Sequence, residues 1–288
     1  MARLKTPYFL ALLPILAGCA PRTFALREEV SLMARGAPAL YEEADPDFAK
    51  DAIPAQLKLA EELLRGDPSN EELLLLCAEG FNGYAFLFLE DGQPDRAKGL
   101  YARGRDYALR ALARRAPLAR LSTATLEEFT RAVQGADRND VPALFWAGFG
   151  WAGYVNLAKD NPAAVAALPK AVALMQRVHD LDPDYHFAGS DLFFGTYYAS
   201  RPAILGGDAA KAKAFFQEAR RRTGGKYLMT YVLEARYYAV AAQDQELFKG
   251  LLAKVKDAES GALPDARLTD EVAKRKAGLL LEKINDYF

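Results

Sequence analysis

The sequence predicts an all-α fold, a solenoid of degenerate tetratricopeptide-like helical hairpins. Three observations lead there. Apolar residues recur at helical spacing along almost the whole chain, with no sustained two-residue alternation that would call for strands. Helix stops fall at Gly, Pro and Asp-Pro, as at Asp67-Pro68, Gly92 to Pro94 and Asp182-Pro183. Small and large residues also alternate in a repeated way. Phe81-x₂-Tyr84-Ala85-x₂-Phe88 is followed by Ala97-x₃-Tyr101-x₂-Gly104, and the second half recurs as Ala171-x₃-Met175-x₂-Val178 and as Ala212-x₃-Phe216-x₂-Ala219. In such hairpins the small residues let paired helices approach, and the large ones fill the space between pairs.

In chain order, residues 1–18 are expected to be a lipoprotein signal peptide. A basic start at Arg3 and Lys5 precedes an apolar run from Tyr8 to Leu16, and Leu16-Ala17-Gly18-Cys19 closes it. The small residues admit a signal peptidase, and the Cys19 thiolate takes up the diacylglycerol. Acyl chains contribute about 0.8 kcal/mol per buried CH₂, so a multiply acylated (palmitate-type) Cys19 anchors firmly to a leaflet. The residue after it is Ala20, where an aspartate often signals inner-membrane retention, so the periplasmic side of the outer membrane is favoured. Residues 19–26 are expected as the lipid-anchored tether and 27–288 as the helical domain.

Within that domain, "QLKLAEELLRGDP" reads as the second helix of an early pair, and Ser69 with Glu72 as a capping box for the next helix. Cys77, in "ELLLLCAEG", is a buried spectator thiol, since an acylated Cys19 leaves it no partner. Val141 to Ala158 carries no charge over eighteen residues, yet Pro142 and three glycines interrupt it, so it reads as a buried central helix rather than a membrane span. The loops before Ala171 and Ala212 are longer than a regular repeat permits. "YLMTYVLEARYYAVAAQDQELFKGLLAKV" reads as a late pair with weaker matches.

Candidate chemistry is sparse. With 37 basic and 38 acidic side chains, no global field draws in nucleic acid, and none is expected as a partner. Both histidines lie in "HDLDPDYH", where His179, Asp182, Asp184 and His186 could be drawn as a metal set, although the helix stop at Asp182-Pro183 already explains the acids. Ser190 is in no nucleophile elbow. Asp191 and Arg201 flank one apolar helix and could pair, with capping by Asp191 the plainer reading. Six arginines between Arg103 and Arg120 face one acid, Asp106, and read as a solvated face or a contact for lipid headgroups or an acidic partner. No catalytic, cofactor or metal residue is assigned.

"DVPALFWAGFGWAGYVNL", "HDLDPDYHFAGSDLFFGTYYASRPAILGGDAAKAKAFFQEA" and "EVAKRKAGLLLEKINDYF" behind a lipobox resemble the T-component lipoproteins of tripartite ATP-independent periplasmic (TRAP) transporters. That resemblance implies a non-catalytic, ring-like homotrimer of cryptic tetratricopeptide repeats. It would dock the transporter's extracytoplasmic solute-binding protein and help pass a small hydrophobic ligand toward the permease. On this reading Trp146, Phe149, Trp151, Phe193, Phe194, Tyr197 and Tyr198 are candidates for cavity walls. Arg201, Pro202, Leu205, Gly206 and Gly207 are candidates for a partner or protomer contact. Two rival readings make different demands. A scaffold for outer-membrane protein assembly needs large membrane-protein partners, and a hydrolase using Asp191 or His186 needs a polar, solvent-reachable cluster around them.

Overall fold

Polar caps and prolines cut this chain into helices at the places its hydrophobic rhythm changes. The computed structural model describes residues 20–288, and every regular element among them is helical. Helix α1 spans Ala20–Tyr41, so residues 20–26, read above as a tether, are helical; Cys19 and the signal segment lie outside the described residues. Helix α2, Pro46–Gly66, begins on Asp45, whose side chain accepts from the amides of Asp47 and Phe48, and buries Ala49, Ile53, Leu57, Ala60 and Leu64 along one stripe. It ends at Asp67 as the sequence predicts. The next N-cap is Asn70, one residue past the expected Ser69. Asn70 takes the Leu73 amide at 3.1 Å, while the Ser69 hydroxyl turns back to Asp67 and leaves no capping box with Glu72.

Helix α3, Glu71–Tyr84, runs without a break into a π-helical turn, Ala85–Leu89, and α4 follows as Pro94–Leu112. The stretch Glu71–Leu89 is long and apolar enough to cross a membrane, but half of it is buried against neighbouring helices. A capping box from Thr125 and Glu128 starts α5, Leu126–Gln134. The uncharged stretch becomes α6, Val141–Leu157, with most of its residues buried. Helices α7 (Pro162–Ala166), α8 (Leu168–Leu181), α9 (Tyr185–Ala199) and α10 (Ala209–Arg222) follow. The long loop before Ala171 thus contains a short helix of its own. Helix α11, Met229–Leu233, again passes into a π-helical turn, Glu234–Ala239, before α12 (Gln245–Asp257) and α13 (Arg267–Glu282).

Packing follows chain order: α3 on α4, α4 on α6, α6 on α8, α8 on α9, α9 on α10, α11 on α12 and α12 on α13. The repeated small and large residues sit at these seams. Ala97, Tyr101, Ala171, Met175, Val178, Ala212, Phe216 and Ala219 are all buried, and a Cβ on Gly195 would reach the Phe216 ring at 3.0 Å. Helix α13 then returns to pack on α1 and α2, so the run of hairpins closes on itself. Two apolar cores result. One gathers α2 to α6 and α8 with Val30 of α1, Phe194 of α9 and Leu268 of α13, the other gathers α9 to α13, and Phe86 and Phe88 of the first π-helical turn pack against both.

The tightest crossing is that of α3, α4 and α6. Asn82 of α3 is fully buried and donates through Nδ2 to the Trp146 carbonyl at 2.9 Å. Gly104 and Gly150 flank it from the other two helices, and a Cβ on Gly150 would lie 2.5 Å from Asn82 Oδ1 and 2.8 Å from the Tyr101 carbonyl. Backbone cannot yield to that overlap. Gly150→Ala is therefore expected to lower stability in chemical denaturation by about 3 kcal/mol. Gly99→Ala, on an exposed part of α4 where a Cβ meets no atom within 4 Å, is expected to raise stability by about 0.5–1 kcal/mol through helix propensity.

Candidate functional site

Closure of the helical run leaves a cavity of about 1250 Å³, with walls from α1, α2, α3, α6, α9, α11, α13 and the first π-helical turn. Pockets for small molecules commonly fall between about 300 and 1,000 Å³, so this one is large, and its lining is mainly apolar. Helical periodicity decides which aromatic residues reach it. On α6 the lining residues Trp146, Phe149, Gly153 and Asn156 share one face. Trp151 lies on the opposite face, edge-on to Phe129 at 5.8 Å with the Arg105 guanidinium 5.2 Å above its ring, and is absent from the cavity wall.

The same division holds on α9. Phe193 and Tyr197, one turn apart, line the cavity with their rings 5.9 Å apart. Phe194 and Tyr198, one position further on, turn into the packing with α10 instead. There Phe215 stacks on both, at 5.2 and 5.8 Å. Four of the seven aromatics expected at the cavity thus line it, and Trp151, Phe194 and Tyr198 do not.

The loop after α9 is folded against the cavity edge. Arg201, Pro202 and Leu205 line it, and the Arg201 guanidinium stacks 4.8 Å from the Tyr197 centroid while Nε donates to the Leu205 carbonyl at 3.0 Å. Gly206 has φ +87°, and a Cβ on Gly207 would lie 1.8 Å from the Arg201 carbonyl, so both glycines shape this turn and neither reaches the cavity. Ile204 at its tip is 92% exposed.

Three consecutive residues that are not glycine, His186, Phe187 and Ala188, adopt left-handed backbone at φ 48°, 58° and 59°. Such a conformation costs roughly 1–2 kcal/mol per residue, so the surroundings must hold it. All three residues line the cavity, as does Gly189, where a Cβ would run into the Phe145 ring at 2.4 Å. His186 lies among Trp146 at 4.8 Å, Phe145 at 5.1 Å and Phe187 at 5.5 Å, and burial pulls its pKa down to about 4, so it is neutral at pH 7. Phe187 stacks on Tyr227 at 4.6 Å. Nothing in "HFAG" announces this turn, because single left-handed residues other than glycine are set by tertiary packing.

The polar groups of the wall are few. Glu79 accepts a hydrogen bond from the Tyr41 hydroxyl at 2.5 Å, and burial pushes its carboxyl above the usual range. Glu90 accepts from Tyr101 at 2.7 Å and faces Lys276 at 3.5 Å and Arg236 at 3.7 Å. Asn156 donates to the Tyr237 hydroxyl at 3.2 Å. Sequence reasoning missed Glu79 and Tyr41. They are 38 positions apart, and only the placement of α1 against α3 brings them together.

The remaining candidates are absorbed by the fold. Asp191 is fully buried and bound by Arg222 Nε at 2.9 Å, with His179 Nδ1 3.2 Å away. The expected pair of Asp191 with Arg201 does not form, because Arg222 takes Asp191 while Arg201, in the turn beyond α9, is engaged by the Leu205 carbonyl and the Tyr197 ring. Nor does Asp191 cap a helix; it lies inside α9. The four residues of the imagined metal set are drawn apart, Asp182 to Arg138 at 3.3 Å and Asp184 to Arg222 at 2.8 Å, and no cluster suited to a metal occurs among the described residues. Burial pushes the Cys77 thiol up to about 12. Five of the six arginines are engaged: Arg103 pairs with Glu61, Arg105 with Asp106, Arg114 with Glu71, Arg115 with Asp137, and Arg110 donates to the Pro68 carbonyl at 3.0 Å.

A helical shell around a large, mainly apolar chamber suits binding far better than bond making. The family comparison agrees: residues 42–288 match the model of the TRAP transporter T-component. The chain belongs to the TRAP transporter T-component family. This T-component is also 23% identical over 263 residues to an uncharacterized protein of Treponema pallidum strain Nichols, covering 86% of this chain and 81% of that one. Membership makes it an accessory component of a transport system in the bacterial envelope, associated with other TRAP components.

The cavity yields a direct test. Gly83 of α3 lines it, and a Cβ there meets nothing within 4 Å. Gly83→Phe is expected to fill the chamber and cut binding of an apolar fluorescent dye to the chain from Ala20 at least tenfold. Thermal stability should be unchanged or higher, because a helix-interior glycine is lost.

Proposed function

We propose that this T-component receives a small apolar ligand in its central chamber and exchanges it with a TRAP-type extracytoplasmic solute-binding protein at the membrane surface. The observation that carries this reading is the chamber itself, about 1250 Å³ of mainly apolar space bounded by helices and open to solvent at its rim. No covalent step is involved. Transport is energised elsewhere, and this chain acts as a non-catalytic relay.

An acylated Cys19 holds the protein on the periplasmic face of a membrane, with the outer membrane favoured by Ala20. Confinement raises the local concentration of docking partners, so weak encounters suffice for transfer. The turn from Arg201 to Gly207 supports a docking role. It lies at the chamber edge, presents Ile204 and Leu205 outward, and would bring a partner within reach of the ligand. The protein works as a homotrimer in this reading, with the loops arranged around a shared axis.

Chemical crosslinking of the chain from Ala20 in periplasmic extract, followed by mass spectrometry, tests the partnership. Capture of a solute-binding protein through Lys211 or Lys213, which flank the loop, is the expected result. Capture of outer-membrane assembly factors with no solute receptor would replace this reading with the assembly scaffold.

A further inference from the structure

The charged groups of the chamber wall do not cancel. Asp184 is taken by Arg222 at 2.8 Å, Glu90 is faced by Lys276 and Arg236, and Arg201 is spent on the Leu205 carbonyl and the Tyr197 ring. Glu79 has no cationic partner among the described residues; its hydrogen bond comes from a neutral phenol, Tyr41, at 2.5 Å. Asp265, exposed at the rim of the chamber, is also close enough to act on Tyr41. The lining base without an ion pair, Lys159, lies instead beside Arg236. Glu90, which Arg236 faces, is eleven residues along the helix from Glu79, or about 16 Å.

We propose that the chamber selects an amphiphile carrying a protonated amine, with the ammonium seated at Glu79 and the Tyr41 oxygen and the alkyl chain running past Phe149 toward Tyr197. This rests on the ligand-chamber reading above and adds the class of ligand. A lone carboxylate facing an apolar chamber is unfavourable, and the fold answers by holding the carboxyl toward its neutral form. A ligand that brings its own positive charge converts that cost into an ion pair in a low-dielectric site. A fatty acid would gain no ion pair at Glu79 and would meet the like charge of Asp265 at the rim. An alcohol would gain hydrogen bonds alone.

The test uses the full chain in phosphatidylcholine nanodiscs and three photoreactive twelve-carbon probes that differ only in their head: amine, alcohol and carboxylate. Labelled peptides are mapped by mass spectrometry. The amine is expected to label chamber peptides containing Phe149 or Tyr197 at concentrations at least tenfold below the alcohol and the acid. Glu79→Gln should erase that preference while alcohol labelling stays unchanged. Gly83→Lys gives a second route, since a lysine four residues on, placed where a Cβ meets nothing within 4 Å, supplies Glu79 with an internal partner and should also abolish the amine preference. Equal labelling by all three heads, preference for the acid, or an amine preference that survives both substitutions would overturn the proposal and leave the chamber reading intact. Absence of chamber labelling by every probe would overturn both.

Discussion

The closed form of this molecule depends on one buried charge cluster. Glu90 and Asp91, at the end of the first π-helical turn, meet Arg236 of the second and Lys276 of α13. Lys276 is 7% exposed and Glu90 9%, so neither can be left without its partner cheaply. The bond between Lys276 and Asp91 spans 185 residues of sequence. It fixes where the last helix lands and therefore which faces of α3, α6, α9 and α13 surround the chamber.

Both π-helical turns sit beside this cluster, and that placement has a mechanical reason. A π turn inserts an extra residue and resets the face that a helix presents. Through Ala85–Leu89 the chain buries Ala85 and Leu89 in packing while Phe86, Leu87 and Glu90 reach the chamber. Through Glu234–Ala239, Tyr237 reaches the chamber and Arg236 the cluster. The left-handed turn at His186 to Ala188 does similar work on α9, swinging an imidazole and a phenyl ring inward. The two π-helical turns and the left-handed turn of α9 all contribute residues to the chamber wall.

This distribution explains what the sequence could and could not tell. Regular seams are legible, because Ala97, Tyr101 and Gly104 or Ala212, Phe216 and Ala219 follow a fixed spacing, and Asp67-Pro68 and Asp182-Pro183 stop helices for local reasons. Whether an aromatic residue faces the chamber or a neighbouring helix depends on a rotation of about 100° per residue, so Phe193 and Phe194 are indistinguishable until the partner of α9 is known. The same ambiguity separates Trp146 from Trp151. Glu79 gave no signal at all, since its meaning comes from Tyr41 on another helix and from the lack of a base nearby. The family resemblance carried the transport reading further than residue chemistry could, because a binding chamber needs no motif.

If the chamber is the working part, an alkyl chain must be able to enter it without dismantling the cluster that closes it. Anomalous diffraction from crystals soaked with a terminally brominated dodecyl chain measures this directly. A bromine peak is expected inside the chamber, in the space bounded by Phe149 and Tyr197, with Glu90, Asp91, Arg236 and Lys276 still joined. Bromine found only on the outer surface, or a chamber that opens between α13 and α3 to admit it, would contradict the account.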